Sequence, residues 1–148
     1  MSYTDLRKGR FSVSGGEYFI TTVVNDRRPV FRDFLHARRF IRFVHQLEDT
    51  SDYQWLAWVL MPDHFHGLLR TGTLELSTVM NRFKGFTAYR LNRELGHSGH
   101  FWQPGFYDRA LRREEDRKQV ARYLIANPLR AGLASTIGDY PHRDSIWV

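Results

Sequence analysis

Cysteine is absent from the 148-residue chain. Disulfides, thiolate zinc sites and cysteine nucleophiles are therefore excluded, and any metal must be held by imidazole, carboxylate or amide oxygen, donors that suit magnesium or manganese as readily as zinc. Long apolar runs are missing too. No stretch approaches the roughly 20 residues a bilayer-spanning helix needs, and residues 1–10 are polar and charged, with no apolar signal-peptide core. These absences lead to the expectation of a soluble, cytoplasmic protein with no membrane partner. Acidic residues are in deficit, 16 against 22 Lys and Arg, for a net charge of +6. An arginine excess on a small domain suits a polyanionic partner, nucleic acid first.

What is present is enough for one ordered domain over residues 1–148, with 42% hydrophobic and 15% aromatic content. Residues 1–16 form a basic arm, Arg7, Lys8 and Arg10 preceding Ser14-Gly15-Gly16, and residues 134–148 form a tail. Between them, 17–24 has the β-branched and aromatic content of a central strand. Phe34, Leu35, Ala37, Ile41, Val44 and Leu47 recur at helical spacing and predict a helix over 30–48, with Arg38, Arg39 and Arg42 on its outer surface. Strands are expected at 53–61 and 64–69, joined tightly through Pro62-Asp63. A second helix over 74–95 buries Leu76, Val79, Met80, Phe83 and Leu91 and carries Arg82, Lys84, Arg90 and Arg93. Short strands at 101–103 and 106–111 and a third helix over 114–127 complete the chain. Strand, helix, strand, strand, helix, strand is the order of the ferredoxin-like split βαβ fold. The expected α+β architecture is an antiparallel sheet with helices on one face and an extra C-terminal helix carrying Tyr123.

The chemistry centres on Val59-Leu60-Met61-Pro62-Asp63-His64-Phe65-His66-Gly67-Leu68-Leu69. Successive strand side chains point to opposite faces, so His64 and His66 share one face while Phe65 anchors the other in the core. Two adjacent imidazoles can hold one divalent ion. Half-buried, hydrogen-bonded strand histidines without metal fit the spacing equally well. His97 and His100 stand in a Gly-flanked loop and are discounted as ligands.

A third ligand is available from the last helix, where Tyr123 and Asn127 are four residues apart and lie on one face. An Asn127 amide oxygen on the metal would carry Tyr123 to the same ion. A tyrosine hydroxyl attacks a phosphodiester in line once the phosphate charge is neutralised, and two imidazoles plus an amide leave coordination positions for phosphate oxygens. The plainer alternatives are a core tyrosine and an Asn that caps the helix ahead of Pro128.

The segment Leu60-Met61-Pro62-Asp63-His64-Phe65-His66-Gly67-Leu68-Leu69, followed by Tyr123-Leu124-Ile125-Ala126-Asn127-Pro128-Leu129-Arg130-Ala131-Gly132-Leu133, resembles the single-tyrosine transposases with a His-hydrophobic-His motif. More narrowly it resembles the REP-associated tyrosine transposases, bacterial proteins that act on repetitive extragenic palindromes. The likeness extends to Gly15-Gly16-Glu17-Tyr18-Phe19-Ile20-Thr21, Arg27-Arg28-Pro29-Val30-Phe31, Lys84, Phe101-Trp102-Gln103 and Phe106-Tyr107-Asp108. It departs at Asp108-Arg109, where many relatives carry Asp-His.

The resemblance implies that His64, His66 and Asn127 ligate Mg2+ or Mn2+ and that Tyr123 is the nucleophile. The implied reaction is metal-dependent cleavage of single-stranded DNA near a hairpin foot, through a 5′-phosphotyrosine and a free 3′-hydroxyl, with strand transfer by reversal and no ATP. It implies a bacterial, nucleoid-associated protein, working as a monomer or homodimer. The basic arm and the arginines of the first two helices become candidates for hairpin phosphates, and the tail, with Ile146 and Trp147, for packing near the active site. Two rivals stand beside this reading: a non-catalytic hairpin DNA or RNA binding module, and a structural metal site.

Overall fold

The computed structural model describes residues 15–113 and 115–147. The expected contacts of Arg7, Lys8 and Arg10 lie outside the described residues. Five strands, β1 (Glu17–Val23), β2 (Tyr53–Met61), β3 (His64–Thr71), β4 (Tyr107–Ala110) and β5 (Arg143–Ser145), form one antiparallel sheet in the order β4-β1-β3-β2-β5. The first four follow the split βαβ order, and β5 is added at the β2 edge.

Helices α1 (Phe34–Asp49) and α2 (Leu76–Leu95) cover one face. The first begins later than its apolar pattern suggests. Pro29 and a 3-10 turn at Val30–Arg32 delay it until Asp33, whose carboxylate accepts from the Leu35 and His36 amides. Gly96, at φ 64°, ends α2 in the left-handed conformation that glycine adopts without strain.

Strand β2 is buried on both sides by the helices that cover each face, and a bulge between Trp55 and Ala57 sets which residues face which side. Strict alternation would put Trp55 and Trp58 on opposite faces; the extra residue brings both into the core under α1 and α2. Leu56, Ala57, Val59 and Met61 face the other way. There they meet Ala121, Leu124 and Ile125 of α3 (Arg117–Ile125), which packs alone on the second face.

Two expected boundaries shift. Residues 101–103 form no strand; Trp102 makes a single bridge to Val24 and donates its indole N–H to Thr87 in the core at 3.1 Å. The third helix starts at Arg117, where Asp116 accepts from the Lys118 and Gln119 amides, rather than at Glu114. It also stops before Asn127. Pro128 has no amide to donate, so the chain breaks at Ala126 and resumes as the single turn α4 (Asn127–Arg130).

The tail closes the β2 edge. Residues 143–145 pair with Ala57, Trp58 and Val59, the Ile146 amide donates to Leu56 at 2.9 Å, and the Tyr140 hydroxyl donates to the Leu60 carbonyl at 2.5 Å. Trp147 packs against the second core, whereas Ile146 stays half exposed. The carbonyl of the bulged Leu56 thus receives a partner from the tail. No helix among the described residues is long and apolar enough to cross a membrane.

Candidate active site

His64 opens β3 opposite Met61, one two-residue turn from the end of β2. Its neighbour Phe65 is fully buried among Phe40, Trp55, Trp58 and Phe83, which fixes the strand's rotation and presents His64 and His66 on the α3 side. Gly67 is required there, since a Cβ would stand 2.7 Å from the Trp55 ring. The two imidazole centroids are 6.0 Å apart.

Each ring is held from behind. Asp63 Oδ1 lies 2.8 Å from His64 Nδ1, and its other oxygen accepts from Arg27 at 3.3 Å. Burial pushes the Asp63 carboxyl up, but the His64 hydrogen bond and Arg27 outweigh it and keep the group below its ordinary value. His66 Nδ1 lies 2.5 Å from Thr21 Oγ1, with the Phe19 ring edge-on at 4.4 Å. With both Nδ1 atoms engaged, Nε2 is the nitrogen each ring has to offer an ion. Burial, reinforced by the charges of His64 and Arg130, lowers the His66 pKa to about 4, against the Ile20 backbone hydrogen bond. At neutral pH His66 is uncharged, as a metal ligand must be.

Helix α3 is tied over this face at its N-terminus by Arg117, which bonds Glu17 on β1; Glu17 also pairs with Arg70 of β3 at 3.1 Å. Ala121, Leu124 and Ile125 are buried against the sheet, and Tyr123 points outward, 62% exposed. That exposure rules out the core-tyrosine alternative. Ala126, not Asn127, is the cap residue at the α3–α4 junction, so the capping alternative for Asn127 also fails. Asn127 begins α4, and Arg130 ends it. The Arg130 Cζ lies 3.9 Å from the Tyr123 ring centroid, and its charge also acts on His66. Arg130 therefore ties the Asn127 turn back to the tyrosine helix. Among the described residues no three His, Cys, Asp or Glu side chains converge. A third ligand here would be of another type, as Asn127 is.

The basic residues expected on the first two helices all belong to the α1–α2 layer, on the far side of the sheet from the histidines. Arg38, Arg42 and Arg82 are exposed there. Arg39 pairs with Glu94 at 3.2 Å, Arg90 lies over Phe43 at 4.7 Å, and Arg93 donates to the Tyr89 hydroxyl at 3.1 Å. Lys84 is a correction to the expected phosphate-tracking patch. Its ammonium is half buried, donates to the Gln103 and Gly105 carbonyls, and is pulled down by burial to about pKa 8. It holds the 103–105 loop.

On the histidine side the cations are ones the sequence did not single out. Lys118, Arg122 and Arg143 rim a groove of about 230 Å³ floored by Ile125, Ile137 and Trp147, between α3 and the tail. Lys118 and Arg122 have helical spacing on α3, but pairing them with Arg143 requires the fold. Arg109, at the departure from Asp-His, pairs with Glu115 at 2.7 Å.

Residues 12–127 match the family model described as "Transposase IS200 like". A REP-associated tyrosine transposase of Escherichia coli K12 is 24% identical over 146 residues, covering 91% of this chain and 82% of that protein. A putative REP-associated tyrosine transposase of Haemophilus influenzae is also 24% identical, over 88% and 82% of the two chains. Among solved structures, that of a REP-associated tyrosine transposase bound to a REP hairpin superposes with a TM-score of 0.77 at 22% identity, over 97% of this chain and 82% of the other. A putative transposase from Deinococcus radiodurans R1 gives a TM-score of 0.56 at 22% identity, over 79% and 94%.

Proposed function

Because the chain belongs to the IS200-like transposase family of DNA nicking and joining enzymes, we propose that it cleaves and rejoins single-stranded DNA beside a palindromic hairpin of the REP type, with Tyr123 as nucleophile. The observation that supports this reading is the pair of imidazoles presented side by side on the sheet face that α3 covers, with the exposed tyrosine on that same helix stacked by Arg130. The relatives named for REP elements, and the solved relative bound to a REP hairpin, support the substrate class.

In the proposed reaction the Tyr123 hydroxyl oxygen attacks the scissile phosphorus in line. The bond from phosphorus to the 3′ oxygen breaks as the tyrosine–phosphorus bond forms, leaving a 5′-phosphotyrosine and a 3′-hydroxyl. The phenol proton is lost and the departing 3′ oxygen gains one, so the step is balanced and reversible without a nucleotide cofactor. His64 and His66, with Asn127 as third ligand, would hold the divalent ion, Mg2+ or Mn2+. When bound, that ion supplies charge neutralisation of the phosphate oxygens. The side chains behind the site do the rest: Asp63 and Thr21 orient the imidazoles, and burial keeps His66 neutral.

The test is incubation with single-stranded hairpin oligonucleotides from the repeats flanking the gene, with and without magnesium or manganese, followed by a denaturing gel. A metal-dependent covalent adduct, lost in Tyr123→Phe, is expected. Tight hairpin binding without an adduct under either metal would instead favour a non-catalytic binding module.

A further inference from the structure

Tyr123 is exposed on a helix surface, where an aromatic side chain samples more than one rotamer, yet in-line attack on phosphorus needs a narrow range of orientations. Something must hold it. Arg130 is placed to do so: its guanidinium lies at 3.9 Å over the phenol ring. On an unbroken helix residues seven apart would be separated by about 10.5 Å along the axis. The break at Ala126 and Pro128 redirects α4 between them.

Arg27, Arg39, Arg70, Arg109 and Arg117 are matched with carboxylates and so have their N–H groups engaged. Among the described residues no hydrogen bond or ion pair engages the Arg130 side chain, which is exposed. A guanidinium stacked by its face leaves its N–H edge open, and that edge matches the oxygens of a phosphate. A lysine would supply the charge without the flat stack.

We propose that Arg130 is the positioning residue for the nucleophile, stacking on the Tyr123 ring to hold its hydroxyl in one orientation for attack while its N–H edge stays free for the scissile phosphate. The proposal rests on the nicking reading for its consequence, but the stack itself can be observed without DNA or metal.

The first measurement is fluorine NMR of the full chain carrying 3-fluorotyrosine at position 123. Arg130→Ala should displace the resonance and broaden it through rotamer exchange, and Arg130→Lys should restore the line shape only in part. The second is single-turnover adduct formation on the hairpin oligonucleotide. Arg130→Ala should slow it by about 10- to 100-fold, a larger factor than the accompanying loss of hairpin affinity, and Arg130→Lys should recover part of the rate. An unchanged fluorine spectrum in Arg130→Ala, or an unchanged rate, would overturn the proposal. If the wild type makes no adduct, the nicking reading fails, and the fluorine spectra still decide whether Arg130 holds the tyrosine.

Discussion

The two faces of the sheet are built from the same strands and do opposite work. Under α1 and α2 the sheet meets a continuous aromatic layer, Phe40, Phe65, Phe83, Trp55, Trp58 and Trp102, with neighbouring ring centroids about 5–6 Å apart. Under α3 the core is smaller, made of aliphatic residues from β2, β3 and α3, and on that side of the sheet stand two imidazoles, a tyrosine and a set of cations. Stability is concentrated on the first face, which frees the second to keep polar groups half solvated. Phe65, between the histidines in sequence, joins the two: its ring belongs to one face and its neighbours to the other.

The sharpest test of that division is Tyr123→Phe, which should abolish the covalent adduct while leaving the urea midpoint essentially unchanged, because the lost hydroxyl is on an exposed side chain. Loss of stability comparable to a core substitution would mean that the second face is structural after all. In the reverse direction, Phe65→Ala removes a fully buried ring and should cost about 3–5 kcal/mol by urea unfolding. Gly67→Ala forces a methyl against Trp55 and should cost about 1–3 kcal/mol, with a displaced Trp55 fluorescence signal.

A pH titration separates the faces more gently. Unfolded His66 takes up its proton near its ordinary value of 6.5, whereas the folded ring resists until about 4. Between those values the unfolded chain holds more protons, so metal-free stability should rise with pH from about 4 to 6.5 and level off above. The expected size is on the order of 3 kcal/mol, read as the difference between wild type and His66→Gln across that window. Least affected of all should be Arg82→Ala on the outer surface of α2, within about 0.5 kcal/mol of wild type in the same unfolding assay.

Much of this organisation was legible along the chain. The bounds of β2 and the start of β3 follow from β-branched and aromatic runs around Pro62-Asp63, and the histidines share a face because strand side chains alternate, whatever surrounds them. The apolar stripes of α1 and α2 were equally local. Harder to see were features made by distant partners. The 101–103 segment has strand composition but finds only Val24 to bridge. Lys84 has the pattern of a surface cation, yet two loop carbonyls claim it. The tail carries no strand signal of its own, and becomes β5 because the β2 edge offers unpaired backbone groups.

The sequence by itself determined the alternation that pairs His64 with His66, the helical periodicities, the Pro128 break and the excess of positive charge, since each depends on bonds and spacings within a few residues. Only the tertiary structure decided that α3 crosses to the opposite face from α1 and α2, that a bulge at Leu56 puts both tryptophans on one side, and that Arg117 of α3 meets Glu17 of β1. Those choices depend on which surfaces can be buried together. Side chains as far apart in the chain as Glu17 and Arg117 become partners only when the sheet and its two covering layers have closed.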